Sequence, residues 1–381
     1  MILAINRGSS SIKFAVYPDG VEPLALSGKL ERIGLPDGIF VARDGARATL
    51  VDRRLALPNH EAALKTLLDW LGSQKLELKV VGHRIVHGGV QYDRPQLVTP
   101  DIIARLKTLV PLAPEHMPQE IEAIEAVSRL HPNLPQVVCF DTAFHRKMPR
   151  VAQLYGLPRE FADQGILRYG FHGLSYEYIA SEAPRSRVIA AHLGNGASLA
   201  AIRDGASIDT SMGFTPTGGI PMGTRSGDVD PAVVLYLLRE KNFTPPGAGE
   251  LVNEKSGLLG LSGLSADMQD LLAAERNNPA AAEAIAVFCY QVAKYIGAFT
   301  AALGGLDTLV FAGGIGENAP PIRQRICGGL TFLGICLDTA ANGRNADVIS
   351  SPDSRVAVRV IRTNEELIVA RHARDVLSAA R

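Results

Sequence analysis

Arg225 lies in "PMGTRSGDVDP", between Gly223 and Gly227. Glycine on both sides leaves its guanidinium little to pack against and frees it to grip a planar anion through two parallel N–H groups. Arg84, in "VVGHRIVHGG", is a second candidate of this kind, with a salt bridge at the edge of the core as its structural alternative. Asp141 closes the strand-like run "QVVCFD", at the strand end where open α/β sheets place their chemistry; capping a following helix is its other reading. His172, in "RYGFHGLS", sits beside Phe171, a setting that suits a packed imidazole as well as a functional one. In "VIRTNEELIVARHA", Thr363 and Glu366 have the spacing of a capping box, which gives Glu366 a structural task. Glu365 has no such task and is left to face an arginine or a metal-bound water.

Several chemistries can be set aside. His83 and His87 are four residues apart, but their β-branched neighbours indicate a strand, where four residues cover ~13 Å, too far for two imidazoles to share one metal. The P-loop pattern, the Gly-x-Ser-x-Gly elbow and the His-Glu-x-x-His pair do not occur. What recurs is a turn of small residues after a strand, in "NRGSSSIKF", "HLGNGAS" and "AGGIGENAPP". Backbone N–H groups in such turns approach an anion without a side chain in the way, and a helix after the third would add its positive end. Three turns of this kind point to a polyphosphate, and phosphoryl transfer becomes the leading reaction class.

The elements that must position these residues alternate. "KVVGHRIV" and "QVVCFD" read as strands, and "TPDIIARLKTLV" reads as a helix capped by Thr99 with Pro100 behind it. Later, Asp230 and Pro231 open a helix, and the long helical pattern ending at Leu303 stops at Gly304-Gly305 before the strand "TLVFA". "VIAAHLGNGASLAAIRDG" repeats the opening stretch as strand, small-residue turn, strand and Asp-Gly, so the α/β fold is duplicated. A chain of 381 residues, 46% hydrophobic, is long enough for two domains. Basic and acidic residues balance at 39 each without a long run of one sign, which argues against a nucleic-acid partner. Cys139, Cys289, Cys327 and Cys336 are scattered and read as reduced core thiols, and no apolar stretch comes near the ~20 residues of a membrane span. The expected setting is the cytoplasm, with no membrane partner.

With these residues in hand, the chain resembles the acetate kinase family, the short-chain carboxylate kinases. "NRGSSSIKF", "GHRIVHGG", "FDTAFHRKMP", "RYGFHGLS", "AHLGNGASLAAI", "DTSMGFTPTGGIPMGTRSGDVDP", "SGLLGLSGLSADMQDL", "AGGIGEN" and "TNEELIVARHA" look like family blocks in family order, nearly end to end. The resemblance implies a duplicated ribonuclease H-like (actin-like ATPase) α/β fold of two domains with the active site in the cleft between them. The first domain would comprise residues 1–142 plus 366–381 and the second residues 143–365. It implies reversible transfer of the γ-phosphoryl group of ATP to a small carboxylate, acetate first, giving an acyl phosphate and ADP in a homodimer. Mg²⁺, or Mn²⁺ in its place, would be held at Asn6 and Glu365. Asp141, His172 and Arg225 match the family's catalytic positions, and Arg84, Val86, Phe171 and Pro216 its acceptor site. Ser9, Ser11 and Lys13 would line the first phosphate turn, His192, Leu193, Gly194, Asn195 and Gly196 the second, and Gly314, Ile315, Gly316, Glu317 and Asn318 the third. Asp267, Met268 and Gln269 fall near the adenosine.

Departures from the family pattern qualify the acceptor and the nucleotide. Glu115 stands where a leucine of the acetate pocket is usual, and an unpaired carboxylate against a methyl group is costly. It must turn away, be paired, or serve propionate or a more polar acid. Arg7 in the opening turn, "GLSY" in place of Gly-Thr-Ser-His, and Gln269 in place of a nucleotide-contacting arginine also differ. A non-kinase ATPase on the same fold is the rival reading.

Overall fold

The computed structural model describes residues 1–8 and 10–380. The chain divides into two compact units, Met1–Phe144 with Asn364–Arg381, and His145–Thr363.

In the first unit, β1 (Ile2–Arg7) and β2 (Ser11–Tyr17) form an antiparallel hairpin in which Asn6 opposes Lys13 and Arg7 opposes Ile12. β3 (Leu26–Glu31), β4 (Gly38–Asp44) and β5 (Thr49–Leu55) continue the sheet beyond β2. On the other side of β1, β6 (Val80–Ile85) and β8 (Gln136–Phe140) run parallel to it, with the short β7 (Gln96–Leu97) at the edge. Parallel neighbours need a crossover. Between β6 and β8 it contains the helices Pro100–Leu109 and Met117–Leu130.

Alternation of side chains along β1 decides what each face packs against. Leu3 and Ile5 join a core with Leu64, Leu67 and Leu71 of the helix His60–Ser73 and Ala123 and Val127 of the helix Met117–Leu130. The C-terminal helix, Glu365–Ala379, packs against β1 and β6. A Cβ at Gly82 would sit 2.5 Å from Val369 Cγ1 and 3.4 Å from Ala373 Cβ, so only glycine admits the helix this close.

The second unit contains β9 (Arg187–Leu193), β10 (Ala197–Arg203), β11 (Ala206–Thr210), β12 (Thr308–Ala312) and β13 (Ala357–Val360), in the order β11-β10-β9-β12-β13. β9 and β10 are an antiparallel hairpin, while β12 and β13 are parallel additions on the far side of β9. This order and these directions repeat β3-β2-β1-β6-β8 of the first unit, the duplication read from the sequence.

Helix starts follow their caps. Thr99 accepts from the N–H of Ile102 and Asp230 from that of Ala232, each with proline next in the chain. The helix Pro279–Leu303 ends at Gly304 with φ of 68°. Two expectations change. By length and composition this 25-residue helix is apolar enough to cross a membrane, contrary to the reading that no stretch comes near that length. Here it packs on β9 and β10 through Ala281, Ile285, Phe288, Val292, Ile296 and Phe299, a core-helix spacing. The C-terminal helix is capped by Asn364, whose Oδ1 accepts from Leu367 N at 3.0 Å, one residue after the expected Thr363. Glu366 is thereby out of register for a capping box.

Candidate active site

The C-terminal ends of the parallel strands β1, β6 and β8 bring Asn6, Arg84 and Asp141 to one edge of the first unit's sheet. Arg84 Nε donates to Asp141 Oδ1 at 3.0 Å and Oδ2 at 3.1 Å, Nη2 to Asp141 Oδ2 at 2.5 Å, and Nη1 to Asn6 Oδ1 at 3.1 Å. Asn6 Nδ2 donates to Glu365 Oε2 at 3.2 Å, and that oxygen lies 3.7 Å from Arg84 Nε. Burial works to lower the pKa of Arg84, but the charge of Asp141, then that of Glu365, outweighs it and the pKa is raised. The guanidinium is a permanent cation held by two carboxylates and an amide. Ser11 and Lys13 follow on β2, with Lys13 opposite Asn6 and therefore on the same face. Gly8, in the turn, donates its N–H to the Ser11 carbonyl at 2.8 Å. Ser9, the other expected phosphate contact of this turn, lies outside the described residues.

Val86, expected in the acceptor pocket, is buried just past β6, and its N–H donates to Glu120 Oε2 at 2.9 Å. Glu120 escaped the sequence reading. Its signal was its place on the apolar stripe of the helix, among Met117, Ile121, Ile124 and Val127. Burial pushes the pKa of Glu120 up to about 7, against the opposing pull of the Val86 amide and the Arg84 charge. Glu115 is exposed, so its carboxylate stays hydrated and the cost of placing a charge against a methyl group does not arise.

In the second unit, His172 precedes the helix Gly173–Glu182 with φ 58° and ψ 25°, a left-handed backbone that a residue with a Cβ adopts at a cost. Its Nδ1 shares a hydrogen bond of 2.8 Å with Ser198 Oγ, which shares another of 2.6 Å with the Tyr176 hydroxyl. Its ring stacks on His192 at 4.5 Å, and His192 Nδ1 is bonded to Ser175 Oγ at 2.8 Å. These contacts fix the ring so that Nε2 points at Gly196. A Cβ added at Gly196 would lie 3.5 Å from His172 Nε2 and 3.5 Å from Arg225 Nη1. Glycine there keeps open the point where the histidine and the arginine converge. Phe171 is buried, its carbonyl bonded to His145 Nε2 at 3.1 Å, and Pro216 is half-buried.

The adjoining residues line a cavity of ≈ 810 Å³ in the second unit. Gly194 and Asn195 of the second turn, Asp267, Met268 and Gln269, and Gly314, Ile315 and Asn318 of the third turn come together around it. Leu193, Gly316 and Glu317 stand outside its lining and shape the turns instead. Leu193 is buried at the end of β9, Gly316 accepts from Arg323 Nη1 at 2.8 Å, and Glu317 Oε1 accepts from Gly313 N at 3.1 Å. The third turn is itself a short helix, Gly313–Asn318, and the expected helix follows it at Pro320–Gly328. Gly313 makes this possible: at φ 74° it turns so close to β9 that a Cβ would meet the Leu193 carbonyl oxygen at 2.7 Å. Arg323, a second residue the sequence reading passed over, is fully buried and braces this segment through Gly316, Asn342 and Asn345.

Two expected outcomes follow from this geometry. Gln269→Arg restores a cation to the cavity lining and lowers the KM for ATP about threefold to tenfold, as one added charge-assisted hydrogen bond would; an unchanged KM removes Gln269 from nucleotide recognition. Between pH 4.5 and about 7 the folded chain retains a proton on Glu120 that the unfolded chain releases, so stability falls as the pH rises through that window. Glu120→Gln keeps an acceptor for Val86 but cannot ionise. Its unfolding free energy gains on the wild type by up to roughly 3 kcal/mol across the window, and parallel pH profiles of the two proteins contradict the assignment.

Residues 1–371 match the family described as the acetokinase family. The acetate kinase of Rhodopseudomonas palustris (strain ATCC BAA-98 / CGA009) is 48% identical over 390 residues, covering 98% of this chain and 97% of that one. The acetate kinase of Methylocella silvestris is 46% identical over 393 residues, covering 97% and 96%. Among solved structures, a propionate kinase from Francisella tularensis subsp. tularensis SCHU S4 superposes with a TM-score of 0.93 at 36% identity, covering 98% of this chain and 99% of that one. Porphyromonas gingivalis acetate kinase does so with a TM-score of 0.88 at 38% identity, covering 99% of each. With a match over nearly its full length, relatives at close to half identity and the duplicated two-sheet fold, the chain belongs to the acetokinase family and is a carboxylate kinase.

Proposed function

We propose that the enzyme transfers the γ-phosphoryl group of ATP reversibly to acetate, forming acetyl phosphate and ADP. The observation that carries this reading is the convergence of His172 Nε2 and Arg225 Nη1 on Gly196, in the turn beside the 810 Å³ cavity. Two donors aimed at one point suit the equatorial oxygens of a phosphoryl group in flight. The cavity would hold the nucleotide, with the turns at Gly194–Gly196 and Gly314–Asn318 toward its phosphates and Asp267–Gln269 toward the adenosine.

In this reading Arg84 holds the acceptor carboxylate, and Val86, Phe171 and Pro216 border its alkyl part. The acceptor has a pKa of roughly 4 to 5 and is already ionised at neutral pH, so no general base is needed. One carboxylate oxygen forms the new bond to phosphorus while the bond from phosphorus to the β,γ-bridging oxygen breaks and ADP leaves. The barrier is the repulsion of two anions, which Arg84, Arg225 and His172 offset. Asp141 then orients Arg84, a role its three hydrogen bonds to that guanidinium support.

Asn6 and Glu365 fit a magnesium ion. Each carries an oxygen that could serve as a hard donor, few in number, as suits an ion that takes most of its shell from phosphates and water; in this structure Asn6 Nδ2 donates to Glu365 Oε2 and Asn6 Oδ1 accepts from Arg84 Nη1. Among the described residues no cluster of three His, Cys, Asp or Glu side chains offers a fuller cage. When bound, the ion would neutralise charge on the transferring phosphates. Propionate is the second acceptor, supported by the likeness to the Francisella propionate kinase.

The same reading includes a homodimer in the cytoplasm. The helix Pro231–Glu240 buries no residue and exposes Val233, Leu235 and Tyr236, the last at 52%, a face that a second copy would cover. Free thiols at all four cysteines suit a reducing compartment.

Incubation with MgATP and a panel of short acids, trapping acyl phosphate as hydroxamate, tests the activity. Acetate is expected to give the highest kcat/KM, with propionate next. Arg84→Ala, Arg225→Ala and His172→Ala are each expected to lower kcat/KM at least a hundredfold, the scale of one lost transition-state donor. ATP hydrolysis without any hydroxamate would instead indicate the non-kinase ATPase, and sedimentation as a single 40.7 kDa chain would reject the dimer.

A further inference from the structure

His145 opens the second unit and is fully buried. Both of its ring nitrogens are bonded, Nε2 to the Phe171 carbonyl at 3.1 Å and Nδ1 to Ser207 Oγ, on β11, at 2.8 Å. A carbonyl only accepts, so the ring carries its proton on Nε2 and the Ser207 hydroxyl donates to Nδ1. Burial lowers the pKa of His145 to about 4, which keeps the ring neutral and this pattern intact at neutral pH. An apolar residue of similar size would fill the same space, but it could neither donate to the Phe171 carbonyl nor accept from Ser207.

What rests on this ring is the segment that presents His172. Gly170 and His172 both have left-handed backbones, with φ of 73° and 58°, on either side of Phe171. Glycine adopts that conformation readily, whereas histidine keeps it only where its surroundings hold it. His145 supplies such a hold. The carbonyl it binds belongs to the peptide unit between Phe171 and His172, whose orientation sets the φ of His172. Gly170 lies against the same ring, since a Cβ there would come within 2.7 Å of His145 Cδ2. The ring also meets Tyr176 edge-on, with 5.5 Å between centroids, and the Tyr176 hydroxyl is bonded to Ser198 Oγ, the partner of His172 Nδ1. Both the backbone and the imidazole of His172 are therefore tied to His145 by contacts within the second unit.

We infer that His145 is a positioning residue for the transfer step: through the Phe171 carbonyl and Tyr176 it keeps His172 in the left-handed conformation that aims Nε2 at Gly196, and so sets turnover rather than affinity for either substrate. The inference rests on the role given to His172 in the reading above. Without the bond from His145 the peptide unit ahead of His172 can turn, the φ of His172 relaxes, and Nε2 leaves the point it shares with Arg225. Ser207 contributes by fixing which nitrogen of His145 carries the proton. Glutamine at position 145 places an amide N–H close to the place of Nε2 and so retains the bond to Phe171.

The test is steady-state hydroxamate formation by the full-length enzyme with acetate and MgATP varied in turn, for the wild type, His145→Leu, His145→Gln, Ser207→Ala and His172→Ala, and for His145→Leu and Ser207→Ala each combined with His172→Ala. His145→Leu is expected to lower kcat about tenfold to a hundredfold, the scale of a misplaced reacting group, and to leave both KM values within about threefold. His145→Gln should recover most of the loss. The double variant His145→Leu/His172→Ala should be as slow as His172→Ala and no slower, because a residue that acts through His172 has nothing to position once that imidazole is gone. Should His145→Leu not fold, Ser207→Ala must lower kcat by a smaller factor, and only while His172 is present. An unchanged kcat in the single variants, a KM that rises while kcat holds, or a double variant equal to the product of the singles overturns the inference and leaves the carboxylate kinase intact. A His172→Ala enzyme as fast as the wild type overturns the role of His172 and the inference with it, and a wild type that forms no hydroxamate from any acid overturns the activity itself.

Discussion

The first unit is organised around one cation that cannot be discharged. Arg84 stands at the end of a parallel strand with Asp141 and Asn6 hydrogen-bonded to it and Glu365 beside it. Each partner comes from a different part of the chain: the first strand, the strand next to β6, and the start of the last helix. Opposite charges in a half-buried setting attract strongly enough to define positions, and losing one partner leaves another without compensation. The sheet order, the glycine at position 82 and the close-packed C-terminal helix follow from the need to bring these four side chains to one edge.

The second unit solves a different problem with the same strand order. Two glycine-rich turns stand at the ends of its neighbouring parallel strands β9 and β12, and in the proposed reading their backbone would carry most of the contacts to phosphate. His172 and Arg225 bring side chains to Gly196. Side chains are kept out where phosphates would need room: Gly196 leaves the meeting point open, and Gly313 lets the third turn lie against β9. His172 has its Nδ1 committed to Ser198 and its ring stacked on His192, so its orientation costs nothing further when a substrate arrives. One unit thus fixes charge with countercharge and the other fixes geometry with absence of bulk.

Much of this was legible beforehand. The duplication could be read because the hairpin "strand, small-residue turn, strand, Asp-Gly" is local, and its two copies kept the same residue classes. Arg225 stood out by its flanking glycines and Asp141 by its place at a strand end, and the structure puts the first beside Gly196 and the second on Arg84. What escaped depended on partners distant in sequence. Glu120 and Arg323 drew no reading from the sequence, because what binds them is distant in the chain: the Val86 amide for Glu120, and Gly316, Asn342 and Asn345 for Arg323. The apolar helix Pro279–Leu303 was underestimated because its periodicity is interrupted by Gln291 and Lys294, residues that fall on its less buried side. The C-terminal cap was misplaced by one residue because Thr363 and Asn364 are both good caps and only the register of the last helix chooses between them.

The contact between Asn6 and Glu365 joins the first strand to the last helix. During synthesis the amino-terminal sheet leaves the ribosome long before its final partner is made. The Arg84 edge of a nascent chain therefore lacks Glu365 and the helix that seats on Gly82 until that helix has been made. Chains released early would carry an exposed sheet face and an incomplete cluster of charges, which quality control could read as unfinished while finding nothing wrong with either sheet.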